Sequence, residues 1–402
     1  MSTEHLERLH VGIAAPLQPA RSPTWQLDPG RRLIPDYQPS TGNMVSVFDD
    51  QAYARGFVSK LETLLINWVV LLSCFSLADV ADAYYPRDFS RPLDRIAIGS
   101  CNRQKHAQPH WQTLQSLNPD LWIWLGDNVY ADTEDMAKMR HVYRTQFQRP
   151  DYAAFRRETP VIGTWDDYDY GDNNSGNWFP KKRQSQQLLL DFLEEPADSP
   201  RRTREGVYAR YTFGPPGRRV DVVLLDNRYH ADRPGEEADI LGEAQWRFLE
   251  EALATSEAQF IFVGSGTQFL ALDHPYENWG NFPHSRRRLL RTVQLSGKGG
   301  IVLLSGDRHI HEVSMLNDGT VPYPLIDFTA SGLTHSFRRL TAEANRYRVG
   351  ALYKQPGFGL VEIDWEREDP RLSLQVLDRE GGVHRRFEIT LSSLQPHKDL
   401  DD

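Results

Sequence analysis

Apolar residues in this chain gather in short runs that stop at glycine, and a cluster of polar residues follows each stop. Residues 95–98 lead into Gly99-Ser100-Cys101-Asn102 and residues 121–125 into Gly126-Asp127-Asn128-Val129-Tyr130; residues 301–304, one serine later, lead into Gly306-Asp307-Arg308-His309. Runs of this length, rich in β-branched, Leu and Trp residues and ended by Gly, predict buried strands that hand the chain to a loop. A fourth polar cluster runs from Trp165 through Asp166, Asp167, Tyr168, Asp169, Tyr170 and Asp172 to Asn173 and Asn174. In layered α/β folds the residues just past the carboxyl ends of strands face one crevice, so clusters far apart in sequence can converge there.

The rest of the pattern fits an α/β (α+β) layered domain. Helical spacing marks residues 110–117, stopped by Asn118-Pro119, and residues 136–147, 185–193 and 242–253. Residues 208–213 and 220–225 read as strands around the turn Gly214-Pro215-Pro216-Gly217, and 260–263 and 325–328 as buried strands. Residues 360–365, 372–377 and 387–391 alternate apolar and polar positions and predict an antiparallel meander closing a sheet. No internal repeat is visible.

Ahead of this domain, residues 1–43 are rich in Pro, Ser and Arg without a period of 2 or 3.6, and read as a disordered leader. Residues 63–78 then give sixteen positions without a charge, preceded by Arg55 and Lys60 and followed by small residues at Ser76-Leu77-Ala78 and Ala81-Asp82-Ala83. That is the layout of a secretory signal, and it is short for a stable transmembrane span. Translation from Met44 would put the segment where a signal belongs. The competing reading is a buried or amphipathic helix in a cytosolic globular protein; Leu71-Leu72-Ser73-Cys74 is a minor lipoprotein variant in which Leu72 fits poorly. The expected organisation is a leader with its signal-like segment over 1–83, one catalytic domain over 84–395, a tail over 396–402, and a secreted or periplasmic location.

Composition narrows the function. A net charge of −9 over 402 residues and a pI near 5.8 argue against general nucleic-acid binding, which needs a basic face. Two cysteines, Cys74 and Cys101, make no disulfide framework, and nothing in the sequence specifies an oligomeric state.

The clusters themselves read as metal chemistry. Asp127 follows a strand and a glycine, and Tyr130 lies three residues on, within reach of the same ion through a turn. Asp307 and His309 sit two apart on one loop. A Cys101 thiolate beside a phenolate and carboxylates describes a trivalent, redox-capable ion better than magnesium. The Asn173 amide oxygen suits a harder ion such as calcium or magnesium, so two different ions are expected. Arg308 is read as bracing a carboxylate or meeting substrate. Each feature has a plainer explanation: Gly-Asp is a common turn, a lone Cys is often a small buried hydrophobe, and acidic runs are often solvated. His309 and His311 would be one inward and one outward strand residue, with His309 inward. Four clusters at strand ends, with aromatics interleaved in the acidic one, weigh against the plain explanation for all of them.

Residues 95–102, 125–132, 165–176 and 304–309 resemble the signatures of the alkaline phosphatase D (PhoD-like) metallophosphatases. Residues 200–208 and 212–218 and Asn278-Trp279-Gly280-Asn281-Phe282-Pro283 add to the resemblance, which runs in order over residues 94–391. It implies a calcineurin-like four-layer αββα sandwich and a secreted phosphomonoesterase or phosphodiesterase using ferric iron with calcium, other divalent ions being alternatives. Carried over by position, Cys101, Tyr130 and His309 would serve the iron, Asp127 would bridge the two ions, and Asn173 and Asp307 would serve the calcium. Asn102 and Arg308 would contact phosphate, and Asp167 would orient water or a ligand. Tyr168 stands where the family usually has His, His311 where it mostly has a small residue, and Ser285 where it usually has Glu. The implied reaction is in-line hydrolysis of a small-molecule phosphate ester or diester by a hydroxide held between the ions, without a covalent phosphoenzyme. A phospholipase D-like or nucleotide phosphodiesterase, and a non-catalytic metal-binding homologue, are the competing readings.

Overall fold

The run Leu121–Leu125 forms strand β2, and all five of its residues are buried. Successive side chains of a strand point to opposite faces, so Leu121, Ile123 and Leu125 enter one apolar cluster while Trp122 and Trp124 enter another. β1 (Arg95–Gly99) divides the same way, with Ile96 and Ile98 on the first side and Ala97 on the second. Burial on both faces is why these strands read as unbroken apolar runs.

A computed structural model describes residues 89–337 and 343–396. The expectations about the leader, the signal-like segment 63–78, Met44, Cys74 and the tail beyond 396 lie outside the described residues. In the first sheet β1, β2 and β3 (Val161–Thr164) run parallel, and β11 (Gly357–Asp364) joins β1 antiparallel. β12 (Arg371–Asp378) and β13 (Val383–Thr390) continue from β11 as the expected antiparallel meander, giving the order β13-β12-β11-β1-β2-β3. The second sheet is ordered β10 (Arg348–Tyr353), β8 (His311–Leu316), β9 (Leu325–Ala330), β7 (Ile301–Ser305), β6 (Phe260–Ser265), β5 (Val220–Leu224) and β4 (Ala209–Phe213). Its middle strands β5, β6, β7 and β9 are parallel.

Helices α1 (His110–Leu117), α2 (Met136–Phe147), α3 (Pro150–Glu158) and α5 (Lys182–Phe192) cover the outer face of the first sheet, where Trp111 packs 5.2 and 5.6 Å from Trp122 and Trp124. A single turn, α4 (Asp167–Tyr170), lies inside the acidic cluster. Helices α6 (Glu243–Ala254) and α7 (Pro283–Ser296) bring Trp246, Leu249, Leu289 and Val293 to the core that includes the second sheet. The layers are therefore helix, sheet, sheet, helix, the αββα sandwich expected.

Local signals fix several boundaries. α1 stops at Asn118, whose left-handed backbone (φ 47°) turns its N–H back to the carbonyls of Leu114 and Gln115. Six elements were not expected from the pattern: α3, β3, α4, α7, β8 and β10. In α7 the stripe of Leu289, Leu290 and Val293 is interrupted by Arg286, Arg287, Arg288 and Arg291, which hides its period. Contrary to expectation, His309 and His311 do not share a strand. His309 lies in the loop before β8 with φ 56°, whereas His311 opens β8, is fully buried, and has its ring 5.7 Å from that of Tyr353. Period-2 alternation applies only within a strand, and the strand begins after His309.

Candidate metal centre

The parallel strands of both sheets end on one side of the sandwich, and each passes into a sharp turn. β1 leads to Cys101, β2 to Asp127, β3 to Asp166 and Asp167, β5 to Asn227 and Arg228, and β7 to Asp307 and His309. Cys101, Asp127, Asp307 and His309 all have left-handed backbone, with φ of 59°, 51°, 62° and 56°. Such a conformation costs an L residue about 1–2 kcal/mol, so the surrounding structure must hold it. Gly126, at φ +85°, makes the β2 turn, and a Cβ there would lie 2.5 Å from Asp166 Cβ. Only glycine lets the turns after β2 and β3 touch.

Hydrogen bonds tie the turns together. The Asn102 N–H donates to the Asp127 carbonyl at 2.9 Å. The Asp169 carboxylate accepts from the N–H groups of Asp127 (3.2 Å), Asn128 (3.0 Å) and Asp166 (2.8 Å). From the second sheet, Leu333 N–H donates to Ser100 O at 3.0 Å, and Ser100 Oγ donates to Ala330 O at 3.2 Å.

Two triads of donor atoms result. Cys101, Asp127 and His309 offer a sulfur, a carboxylate oxygen and an imidazole nitrogen that all lie within 4.8 Å of one another, and Asp127, Asp166 and Asp167 do the same with three carboxylates. Asp127 is common to both. The Tyr130 hydroxyl lies 2.8 Å from His309 Nε2, and Cys101 Sγ lies 3.5 Å from Asp127 Oδ2 and 3.1 Å from Ser331 Oγ.

Burial sets the electrostatics. It pushes the Asp127 carboxyl well above its usual range, and the charges of Asp167, Asp166, Asp169 and Asp307 push it further. Asp307 is raised by burial and then by Asp166 and Asp167. Asp166 is raised by burial to about 7 even with Arg228 against it. The thiol of Cys101 and phenol of Tyr130 are also pushed up, first by burial and then by Asp127. His309 goes the other way, to about 3, because burial, Arg308 and Arg103 disfavour its cation; it is therefore the neutral, ligating form. Arg228 is buried among these acids. Its Nε lies 2.7 Å from Asp166 Oδ1, and Nη1 and Nη2 lie 2.9 and 2.6 Å from the two Glu277 oxygens.

The site fits cations. Six buried side-chain oxygens among the described residues lack a hydrogen-bond partner, and four of them, on Asn102, Asn128, Asp166 and Asn227, surround these turns. Orphaned acceptors beside crowded carboxylates call for positive charge. The sulfur, nitrogen and oxygen set suits a softer transition metal and the three-carboxylate set a harder ion.

Of the residues singled out from sequence, Cys101, Asp127, Tyr130 and His309 are brought together, with Asp307 beside them and Asp167 a donor in the second triad. Asn102 is buried, and its Nδ2 donates to Asn128 O at 3.1 Å. Asn173 is exposed with its N–H on Asp132 Oδ1 (3.0 Å), while the next residue, Asn174, donates its N–H to Asp167 Oδ2 (2.8 Å). Arg308 is buried in an ion pair with Glu343. The Tyr168 ring stacks 4.5 Å from that of Tyr130, and Ser285 Oγ bonds Asp239 and Ala238 beside α7. Sequence reasoning missed Asp166 as a donor and missed Arg228 and Glu277 altogether. Applied to the strand expected at 220–225, the strand-end rule would have pointed to Arg228.

A two-sheet αββα sandwich with paired donor sets at its strand ends defines the calcineurin-like metallophosphatase architecture. Residues 96–347 match the family profile described as PhoD-like phosphatase, and the chain belongs to that family. It is 23% identical over 282 residues to alkaline phosphatase D of Bacillus subtilis (strain 168), covering 56% of this chain and 47% of the relative, so it spans about half that protein's length. A solved structure of PhoD superposes with a TM-score of 0.61 at 17% identity, over 77% of this chain and 73% of that one. GAP50, described as the anchor in the inner membrane complex of Plasmodium, superposes with a TM-score of 0.52 at 14% identity, over 77% and 91%. These two likenesses show the fold.

Proposed function

We propose that this protein hydrolyses small-molecule phosphate esters or diesters at a dinuclear metal centre. The observation that carries the reading is Asp127, one buried carboxylate common to two donor triads of different hardness. Ferric iron is proposed on Cys101, Asp127, Tyr130 and His309, and calcium on Asp127, Asp166 and Asp167, with Asp307 and Asn173 on the same harder side. Bound cations would neutralise the carboxylates, polarise a phosphoryl oxygen and make water a nucleophile near neutral pH.

The chain's own residues supply order around that chemistry. Asp169 ties the Asp127 turn to Asp166 through three backbone bonds, and Arg228 fixes the carboxylate of Asp166. The Arg308 guanidinium, anchored by Glu343, lends positive potential beside His309 without leaving its ion pair. Export through the signal-like segment 63–78 is part of the same proposal. No helix among the described residues is long and apolar enough to cross a membrane.

The test is metal analysis joined to turnover. Protein as purified should hold about one iron per chain with calcium, absorb in the visible through the Tyr130 phenolate, and lose that band in Tyr130→Phe. Asp127→Asn should lose both metals and at least about 100-fold in turnover, more than a residue supporting a ligand would cost. Wild-type turnover in a folded Asp127→Asn would overturn the proposal, and full metal occupancy without hydrolysis of any ester would favour the non-catalytic homologue.

A further inference from the structure

Among the described residues only five large apolar side chains are exposed: Trp178, Tyr276, Leu295, Phe337 and Val383. Scattered ones need no explanation, but two of the five stack on each other at the edge of the metal centre. The Tyr276 and Phe337 rings lie 5.9 Å apart at 23°, exposed by 45% and 37% respectively. Phe337 is also 4.8 Å from the ring of His309.

The pair is held in place. Tyr276 donates its N–H to His274 Nδ1 (3.3 Å) and accepts at its carbonyl from Asn278 Nδ2 (2.9 Å), while Phe337 N–H donates to His309 O (3.2 Å). Glu277, next in the chain to Tyr276, is the residue that grips Arg228 and through it Asp166. One ring is therefore tied to the first donor triad and the other to the second. The Arg308 guanidinium lies 4.0 Å from the Tyr276 ring centre and 5.4 Å from that of Phe337. A cation against a ring draws on its electron density and favours contact with an electron-rich π partner. Rigid aromatic surface presented to water at low entropy cost is what a stacking ligand needs.

We propose that Tyr276 and Phe337 form the subsite for the group esterified to phosphate, and select esters whose substituent is a planar aromatic ring, either a nucleobase or a simple aryl group. A phosphoryl group at the donor atoms has this platform as its neighbour beyond His309. The inference rests on the phosphoesterase reading and narrows its substrate class.

The experiment compares kcat/KM for adenosine monophosphate, p-nitrophenyl phosphate and glycerol phosphate in metal-loaded wild type, Tyr276→Leu, Phe337→Leu and Tyr276→Phe. Each Leu variant should lower the ratio of aromatic to glycerol ester by roughly tenfold, mainly through KM, and Tyr276→Phe should keep it. A fall for the nucleotide alone assigns the platform to nucleobases; a fall for both aromatic esters assigns it to planar rings in general. An unaltered ratio in both Leu variants overturns the platform while hydrolysis itself stands, and an equal fall in Tyr276→Phe overturns stacking in favour of the hydroxyl. Wild type that hydrolyses none of the three overturns the parent reading and this one with it.

Discussion

Replacing Arg228 by Met removes the guanidinium that touches both Asp166 and Glu277 while keeping much of its volume. Arg228 is 2% exposed, with Nη2 2.5 Å from Asp166 and 2.6 Å from Glu277. Its charge also holds down the carboxyls of Asp166, Asp167 and Asp307, so its loss is felt across the second triad. Removing one partner of a buried ion pair costs about 3–5 kcal/mol, because the other charge stays buried without compensation. For a domain of this size each kcal/mol moves Tm by about 2–4 °C, so metal-stripped Arg228→Met should melt about 10 °C below stripped wild type. Circular dichroism in the presence of a chelator measures it. Saturating calcium should narrow the gap, since an ion on Asp166 replaces part of the lost charge. Adding Glu277→Gln to Arg228→Met should recover part of the loss. A stripped Arg228→Met within a degree or so of wild type would refute the reasoning.

Other predictions follow from burial and backbone geometry. In the metal-free protein Asp166 and Asp327 are raised by burial to about 7 and about 6, against an ordinary value of 3.8. A carboxyl raised in the folded state contributes stability that is complete below its unfolded pKa and is lost as pH rises through the folded one. Both contributions are thus lost between about pH 4 and 7. Asp166→Asn should flatten its share of that loss in chelator-treated melts, and an unaltered pH profile would contradict the assignment. Gly126→Ala should lower stability by at least about 1–2 kcal/mol from its left-handed backbone alone, more from the overlap with Asp166, and should weaken metal retention; urea unfolding with metal analysis checks both. Trp111→Ala, in the aromatic layer with Trp122, Trp124 and Tyr152, should cost about 3–5 kcal/mol in the same assay with bound metal retained.

Much of the fold was legible because its signals are local. Strands buried on both faces announce themselves as unbroken apolar runs, and α1 and α2 have the bounds their spacing predicts, with Asn118 and Asp135 marking an end and a start. The rule that strand ends converge located Cys101, Asp127, Asp307 and His309. What it left out depends on distance. Asp166 is one of several carboxylates in one acidic cluster, and it is the closure of the Gly126 turn onto Asp166 that brings this one against Asp127. Arg228 and Glu277 join through an ion pair 49 residues apart in sequence. α7 escaped because arginines share its surface with the apolar stripe, and the two histidines around Ile310 were misread because the strand begins at His311 and leaves His309 in the loop before it.

The left-handed turns at Cys101, Asp127, Asp307 and His309 bear on how this centre can be lost. At each of these positions glycine would adopt the observed backbone without penalty, whereas any residue with a β-carbon meets a steric cost there. Replacing a donor by glycine therefore relaxes the fold, because it removes the β-carbon and with it about 1–2 kcal/mol of backbone strain. Drift away from activity is downhill in folding free energy, and a descendant freed from the need for metal should accumulate glycine at these four sites before the sandwich around them changes.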